Sequence, residues 1–163
     1  MKHKINLKNL LLLSIYLALA TAGCGPYQRD QQIKADLTMK AKEDVNFAGL
    51  HFTVEDRNLS IWGSCPTFKS KHAVMQKLSS IHVIKNIDER ITIRPVIIGN
   101  NFSIKQEADS ILAKHPGAWA EVNSNVVTIY GNFEKNASHK VMSTITEKLP
   151  AIILINKSFS NPK

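Results

Sequence analysis

Two stretches of the chain carry apolar residues at the three- and four-residue spacing of an amphipathic helix. The first consists of Ile33, Leu37, Ala41 and Val45, and the second of Ile104, Ala108, Ile111 and Leu112. A glycine follows each stretch, at Gly49 and at Gly117, and ends the predicted helix.

After each predicted helix, apolar and polar residues alternate over two short runs, which is the pattern of half-buried strands. The inward-facing residues are Leu50, Phe52, Val54, Leu59 and Ile61 in the first case and Ala118, Ala120, Val122, Val127 and Ile129 in the second. Polar triplets at 56–58 and 123–125 separate the runs and predict a hairpin each time.

A second helix and a final strand complete both patterns. The helices are marked by Val74, Leu78 and Ile81 and by Val141, Met142, Ile145 and Leu149, with Ser70 and Ser138 as predicted caps. The final strands place Ile87, Ile91 and Ile93, or Ile153, Ile155 and Phe159, on one face. The order helix, strand, strand, helix, strand predicts an α+β sandwich in which two helices cover one face of a three-stranded sheet.

The two patterns are copies of one another. Leu59-Ser-Ile-Trp-Gly63 matches Val127-Thr-Ile-Tyr-Gly131 position by position at an offset of 68 residues, and the same offset pairs Ile87 with Ile155. The sequence therefore predicts a tandem repeat with copies at 33–93 and 101–161. The linker between them, 94–100, contains Val96-Ile97-Ile98, which favours packing of the copies on each other.

The first 23 residues have the order of a secretory signal. Residues 1–9 are basic, and residues 10–20 form an apolar run too short to span a hydrocarbon core of about 30 Å. Ala22-Gly23-Cys24 resembles the bacterial lipobox, although Thr21 stands where most lipoboxes have Leu. This resemblance implies cleavage between Gly23 and Cys24 and a diacylglycerol on the Cys24 sulfur. The alternative is a plain secretory signal with an incidental cysteine. Residues 24–32 are polar and predict a tether.

The repeat resembles the BON domain in its element order and in its glycine-terminated strands, Ser-Ile-Trp-Gly63 and Thr-Ile-Tyr-Gly131. A tandem pair behind a lipobox is similar to dual-BON lipoproteins of the DolP type and, more distantly, to soluble OsmY-like periplasmic proteins. Copy one departs from the family pattern at Ser64-Cys65-Pro66, and copy two at Pro150. The resemblance implies two tandem αββαβ domains anchored at the outer membrane and facing the periplasm. It also implies binding of anionic phospholipid and support of outer-membrane integrity.

Composition limits the chemistry. Apolar residues make up 44% of the chain and charged residues 21%, which favours a folded core over disorder. The formal charge is +8; without residues 1–23 it falls to +5, from 18 Lys and Arg against 13 Asp and Glu. This charge is too low for a dedicated nucleic-acid binder.

Motifs for catalysis are missing from the sequence. It contains no HExxH motif, no close Cys-His set, no glycine-rich phosphate loop and no GxSxG elbow. We therefore expect a non-enzymatic protein with no cofactor and no metal. If Cys24 carries lipid, Cys65 is unpaired, and its place after a predicted strand favours a small buried apolar residue.

Basic side chains and one tryptophan are the predicted membrane contacts. They are Lys69, Lys71, Lys77, Lys105, Lys114, Lys140 and Lys148, together with Trp119. The alternative is that these lysines are ordinary solvated positions and that Trp119 packs within the protein, between the two copies. Two functions follow: a lipid-anchored module that binds anionic phospholipid, or a periplasmic scaffold or chaperone-like module that binds envelope proteins.

Overall fold

The computed structural model of the protein describes residues 25–133, 137–150 and 152–157. The predicted signal, the cleavage position at Gly23 and the lipid-bearing Cys24 lie outside the described residues, and so does Phe159. No helix within the described ranges is both long and apolar enough to cross a bilayer.

The N-terminal half consists of five main elements in the order helix, strand, strand, helix, strand. They are α1 (Pro26–Glu43), β1 (Leu50–Glu55), β2 (Asn58–Cys65), α2 (Phe68–Ser79) and β3 (Asn86–Ile93), with a 3-10 turn at Val45–Phe47 between α1 and β1. Strand β2 lies in the centre of the sheet, antiparallel to β1 and parallel to β3.

The C-terminal half has the same order. Its elements are α3 (Asn100–Leu112), β4 (Ala118–Asn123), β5 (Val126–Gly131), α4 (Ala137–Lys148) and β6 (Ile153–Lys157). The central strand β5 is antiparallel to β4 and parallel to β6. The predicted α+β class is confirmed.

The core of each half lies between its helices and the inner face of its sheet. In the N-terminal half Leu37 of α1, Leu50 of β1, Ile61 of β2 and Leu78 of α2 are fully buried together. In the C-terminal half the buried residues are Ala108, Leu112, Ala118, Ala120, Val127, Ile129, Val141 and Ile145. Cys65 is a fully buried free thiol within the first core, as predicted, and burial raises its pKa.

One glycine in each half allows a close approach of two strands. Gly63 and Gly131 have φ angles of +124° and +110°, which side chains rarely adopt. A Cβ atom on either would lie 2.1 Å from the carbonyl oxygen of Gly49 or Gly117. The matched glycines of the repeat are therefore steric requirements of the same hairpin.

The predicted tether at 24–32 is wrong, because α1 already begins at Pro26. Proline suits the first helical position, since that position needs no backbone N–H donor. Asp30, Lys34 and Thr38 are buried although polar, so this part of the helix lacks the apolar spacing that was used to find helices.

The predicted inner face of α1 is wrong at its last residue. The helix ends at Glu43, and the Asp44 carboxylate accepts a hydrogen bond of 2.9 Å from the Asn46 amide to begin the 3-10 turn. Val45 is 55% exposed as a result, and Phe47 takes its place in the core.

The last strand differs from the prediction by one residue. A constant 68-residue offset would pair Val127 with Ile155, but Val127 pairs with Leu154, and Ile153 is 63% exposed. A shift of one residue exchanges the two faces of a strand, so the predicted inward position of Ile153 is wrong.

Two local predictions also fail. The first residue of the apolar trio in the linker, Val96, approaches Gly49, but Ile97 is 93% exposed and Ile98 is also exposed. Thr67, not Ser70, caps α2, because the Thr67 hydroxyl accepts a hydrogen bond from the Ser70 amide at 3.1 Å. Ser138 lies inside α4.

Candidate functional site: a basic groove and a buried seam

A groove of about 450 Å³ lies between α3 and α4 of the C-terminal half. Lys140, Thr144 and Lys148 follow one another at four-residue spacing on α4, which brings them to one side of the helix. Lys114 follows the end of α3, and all three lysines line the groove. The groove wall formed by the described residues contains no Asp or Glu.

The three lysines differ in how freely they can meet a ligand. The Lys148 ammonium lies 3.2 Å from the Glu107 carboxylate, in a pair that is largely exposed to solvent. Lys114 and Lys140 are exposed and form no ion pair within the described residues. An exposed pair such as Lys148–Glu107 is weak, so an anion could displace Glu107 at little cost.

The N-terminal half contributes one residue, Gln31, to the groove. The Gln31 amide of α1 donates a hydrogen bond of 2.8 Å to the Lys114 carbonyl, and Gln31 lines the groove. The Ser110 and Thr144 hydroxyls each donate to a backbone carbonyl of their own helix, which leaves their oxygens as acceptors. The groove therefore presents ammonium donors from two packed helices.

The remaining predicted contact lysines lie elsewhere. Lys71 pairs with Glu89 at 2.8 Å, and Lys77 pairs with Asp44 at 2.6 Å, both on the N-terminal half. Lys69 is exposed in the first turn of α2. Lys105 is largely buried and pairs with Asp109 at 2.5 Å. The structure thus brings together three of the seven predicted lysines.

Trp119 lies between the two halves, as the alternative interpretation expects. Its ring stacks on Tyr130 with a centroid distance of 4.3 Å and meets two rings of the other half, Trp62 at 5.2 Å and His51 at 4.9 Å. Its membrane contact stays a prediction, and the residue is partly buried among these rings.

The edge strands β1 and β4 meet at a seam, which we define by Lys34, His51, Val54, Trp119 and Pro116. The Val54 amide donates a hydrogen bond of 3.0 Å to the Pro116 carbonyl. The Lys34 ammonium donates to the Phe52 carbonyl and, at 3.0 Å, to the Ala118 carbonyl. Backbone acceptors from both halves are therefore satisfied by one side chain of α1.

The ammonium group of Lys34 is buried, which disfavours its charged form. The residue is 3% exposed, and its ammonium lies 4.3 Å from the centroid of the Phe52 ring. Burial lowers the pKa of Lys34 to about 7; Asp109 opposes this change, and Lys105 adds to it. Lys34 therefore exchanges its proton near neutral pH.

His51 is the other buried basic group of the seam. Burial, with a further contribution from Lys105, lowers its pKa to about 4, so its ring is neutral at pH 7. Its Nδ1 atom is buried and has no hydrogen-bond partner among the described residues.

Sequence reasoning missed both Lys34 and Asp30. The signal that could have found them is their spacing, because Asp30, Lys34 and Thr38 recur every four residues and share one side of a helix. The described residues contain no group of three or more His, Cys, Asp or Glu side chains placed to hold a metal ion.

No protein-family model matches the chain, and no curated protein matches it. Two solved structures of CdsD, a structural protein of the type III secretion system of Chlamydia trachomatis, are similar. The one of its C-terminal domain has 12% identity and a TM-score of 0.32, covering 78% of this chain and 64% of that chain. The other has 10% identity and a TM-score of 0.36, covering 82% of this chain and 64% of that chain. The chain spans less than two thirds of either solved chain.

Proposed function

We propose that the protein is a non-enzymatic lipoprotein of the outer membrane, facing the periplasm, and that its basic groove binds the headgroups of anionic phospholipids. In this proposal each half is a BON domain, and Cys24 carries the lipid anchor. The observation that carries the proposal is the convergence of Lys114, Lys140 and Lys148 on one groove without a lining carboxylate.

The magnitude of the attraction is sufficient for lipid selection. A basic side chain near an anionic bilayer contributes about 1 kcal/mol, so three contribute on the order of 3 kcal/mol, or roughly a hundredfold in affinity. A lipoprotein already has several acyl chains for attachment. The groove would therefore choose the lipid and orient the protein, which is how such a protein would support membrane integrity.

Vesicle flotation of a chain that begins at Gly25 tests the groove. We expect binding to vesicles that contain phosphatidylglycerol, little binding to pure phosphatidylcholine, and loss of binding as salt rises. Replacing Lys114, Lys140 and Lys148 by Gln should weaken binding roughly a hundredfold.

The matched control removes the same charge from the other half, as Lys69→Gln, Lys71→Gln and Lys77→Gln together. This control should keep most of the lipid preference. Equal loss in both triple variants would show that only net charge matters, and a wild-type chain indifferent to lipid charge would exclude the proposal.

The anchor has its own test, which does not depend on the groove. The intact mass of the protein produced in a bacterium should show cleavage before Cys24 and added acyl chains, and Cys24→Ala should abolish both. A cleaved but unacylated product would contradict the anchor.

A protein-binding scaffold is the second candidate, and the exposed linker favours it. Ile97 and Ile98 present apolar surface to solvent between the two halves, which a protein partner would cover. A photoreactive residue at position 97 should then crosslink one defined envelope protein, and the contact should survive high salt.

A further inference from the structure

We propose that the N-terminal half carries a second binding site, for a single-chain amphiphile with an anionic head. The head would lie on Arg29 and Arg57, and the chain would lie against Ile33, Ile81 and Val83. The residues of this site are different from those that line the basic groove.

The cavity that forms this site has a volume of about 620 Å³. One wall comes from α1, with Arg29 and Ile33, and the other from the segment after α2, with Ile81 and Val83. Its size lies within the range of ordinary small-molecule sites, roughly 300–1,000 Å³. Val83 is 53% exposed, so an apolar wall of the cavity is open to solvent.

A smaller cavity of about 310 Å³ shares Arg29 and Arg57 with the first. Lys85 also lines it, and the Lys85 amide donates a hydrogen bond of 2.8 Å to the Arg57 carbonyl. The two arginines thus line both an apolar cavity and an adjoining polar cavity. That is the arrangement expected for a molecule with an apolar chain and a charged head.

The guanidinium of Arg57 is positioned by a strained turn. Asp56 and Arg57 both have positive φ angles, and Arg57 is at +65°. The corresponding turn of the C-terminal half places Asn125 at +66°, where asparagine is tolerated better than arginine. Such a conformation persists only where the surrounding structure enforces it.

The turn is held in place by Asp30, which is buried. Its carboxylate accepts hydrogen bonds from the amides of Asp56 and Arg57 at 2.7 and 2.8 Å. The Arg57 Nε donates to the Val83 carbonyl at 2.7 Å. Its two terminal nitrogens have no hydrogen-bond or ion-pair partner within the described residues and can meet a ligand.

The charge near the cavities favours an anion. Arg29, Arg57 and Lys85 have no carboxylate within ion-pair distance among the described residues. Two carboxylates line the cavities, Asp36 and Asp56, and Asp36 already pairs with Lys40 at 3.6 Å. A guanidinium binds a carboxylate or a phosphate through two parallel hydrogen bonds, so the head is a fatty carboxylate or a lysophospholipid phosphate.

Photocrosslinking of the full chain in phosphatidylcholine vesicles tests the proposal. The probe is palmitic acid with a diazirine at the end of its chain, and mass spectrometry locates the label. Because the diazirine is at the end of the chain, we expect labelling at the apolar wall, at residues 33–36 and 81–83. Arg57→Asn should reduce labelling about tenfold, because a charge-assisted contact is lost while asparagine fits the turn.

Two further variants separate the head from the chain. Val83→Gln should weaken labelling several-fold, and its exposed position protects the fold. Asn125→Gly, in the matched turn of the C-terminal half, should leave labelling unchanged. A palmityl alcohol probe with the same diazirine should label these residues much less than the acid.

Competitors identify the source of the anion. Displacement of the probe by oleate or by lysophosphatidylglycerol supports the proposal. The stronger competitor shows whether the site prefers a carboxylate or a phosphate head. Displacement by inorganic phosphate alone would overturn it, since the site would then be a plain anion site. Equal labelling in Arg57→Asn, equal labelling by the alcohol, or labels confined to other residues would overturn it as well.

Discussion

The two halves share one topology but fill their cores differently. Leu50 and Phe52 of β1 are buried where Ala118 and Ala120 of β4 are buried. Burial of a leucine or phenylalanine stabilises by roughly 1.5–3 kcal/mol, and an alanine contributes much less. The comparison indicates that the N-terminal half supplies most of the stability, while the C-terminal half relies on its contacts at the seam.

The hairpin turn of the N-terminal half also has more stabilising contacts than the turn of the C-terminal half. The amides of the Asp56-Arg57 turn are bound by the Asp30 carboxylate of α1. At the Ser124-Asn125 turn the Ile153 amide donates to the Asn125 carbonyl at 3.0 Å, but no carboxylate of the described residues binds the turn amides. Helix α1 therefore fixes the first turn and, through Lys34, also reaches the second sheet. One helix of the first half supports both halves.

Leu50→Ala should have the largest effect, because it gives β1 the small residue that β4 has at Ala118. We expect the free energy of unfolding to fall by about 2–5 kcal/mol, since the surrounding core cannot fully collapse on the lost volume. Urea unfolding followed by circular dichroism measures it. Thr53→Ala, on the outer face of β1, is the control, and a loss below about 1 kcal/mol for Leu50→Ala would contradict the comparison.

Lys34→Met tests the seam through its pH dependence. Lys34 has a pKa of about 7 in the folded chain and 10.5 when unfolded, so between these values the unfolded chain binds more protons. Stability therefore rises with pH in this window, by about 1.4 kcal/mol per pH unit. Relative to Lys34→Met, the wild-type chain should gain about 2 kcal/mol from about pH 7.5 to about pH 9.

If the stabilities of wild type and Lys34→Met changed in parallel across that window, the pKa of Lys34 would not be lowered in the folded chain. Lys40→Met, on the same helix and paired with Asp36, serves as the control because its ammonium is partly exposed.

Asp30→Ala should cost about 1–3 kcal/mol, because two turn amides lose their acceptor. Asp36→Ala, which removes only a partly exposed pair with Lys40, should cost less than about 0.5 kcal/mol. If both variants lost the same stability in thermal unfolding, the hydrogen bonds of Asp30 to the first turn would not account for the difference between the two halves.

Glu89→Gln should have the smallest effect, below about 1 kcal/mol at neutral pH, since the Lys71–Glu89 pair is partly solvated. Lys71 lowers the pKa of Glu89 below 4.5, so the contribution of the pair is present above that pH and is lost as pH falls. In β6 the matching register position is Asn156, which has no charge to lose. An acid titration in which wild type and Glu89→Gln lose stability identically would contradict this assignment.

The sequence predicted the elements well because apolar spacing reports burial directly. Helix α4, the hairpins and the matched glycines Gly63 and Gly131 follow from periodicity and steric demand. Helix α1 was found only in part, because its first turns bury Asp30 and Lys34 rather than apolar residues. The shift in β6 escaped prediction, since a constant repeat offset contains no information about strand register.

The sequence predicted the lysines of the candidate site, but it did not predict which of them lie together in one groove. Lys114, Lys140 and Lys148 come together only because α3 and α4 pack side by side, and charge alone could not separate them from Lys71 or Lys77. The arginine cavity was not anticipated, because it depends on a turn conformation that favours residues other than arginine.

The seam places a residue opposite its own repeat counterpart. His51 and Trp119 occupy matching positions of the two halves, and their ring centroids lie 4.9 Å apart. Three residues after His51, the Val54 amide donates to the carbonyl of Pro116, which stands three residues before Trp119, as in two antiparallel segments. In a two-fold symmetric dimer, a residue near the axis meets itself in this way. The two halves of this one chain thus meet in the way that the subunits of an isologous dimer meet. Because both halves belong to one chain, their encounter is intramolecular, and the two contacting faces need not be identical. In the first helices the repeat offset is 67 residues, as in Leu37 and Ile104, so Lys34 corresponds to Asn101, and only the N-terminal half supplies a lysine to the seam at this position.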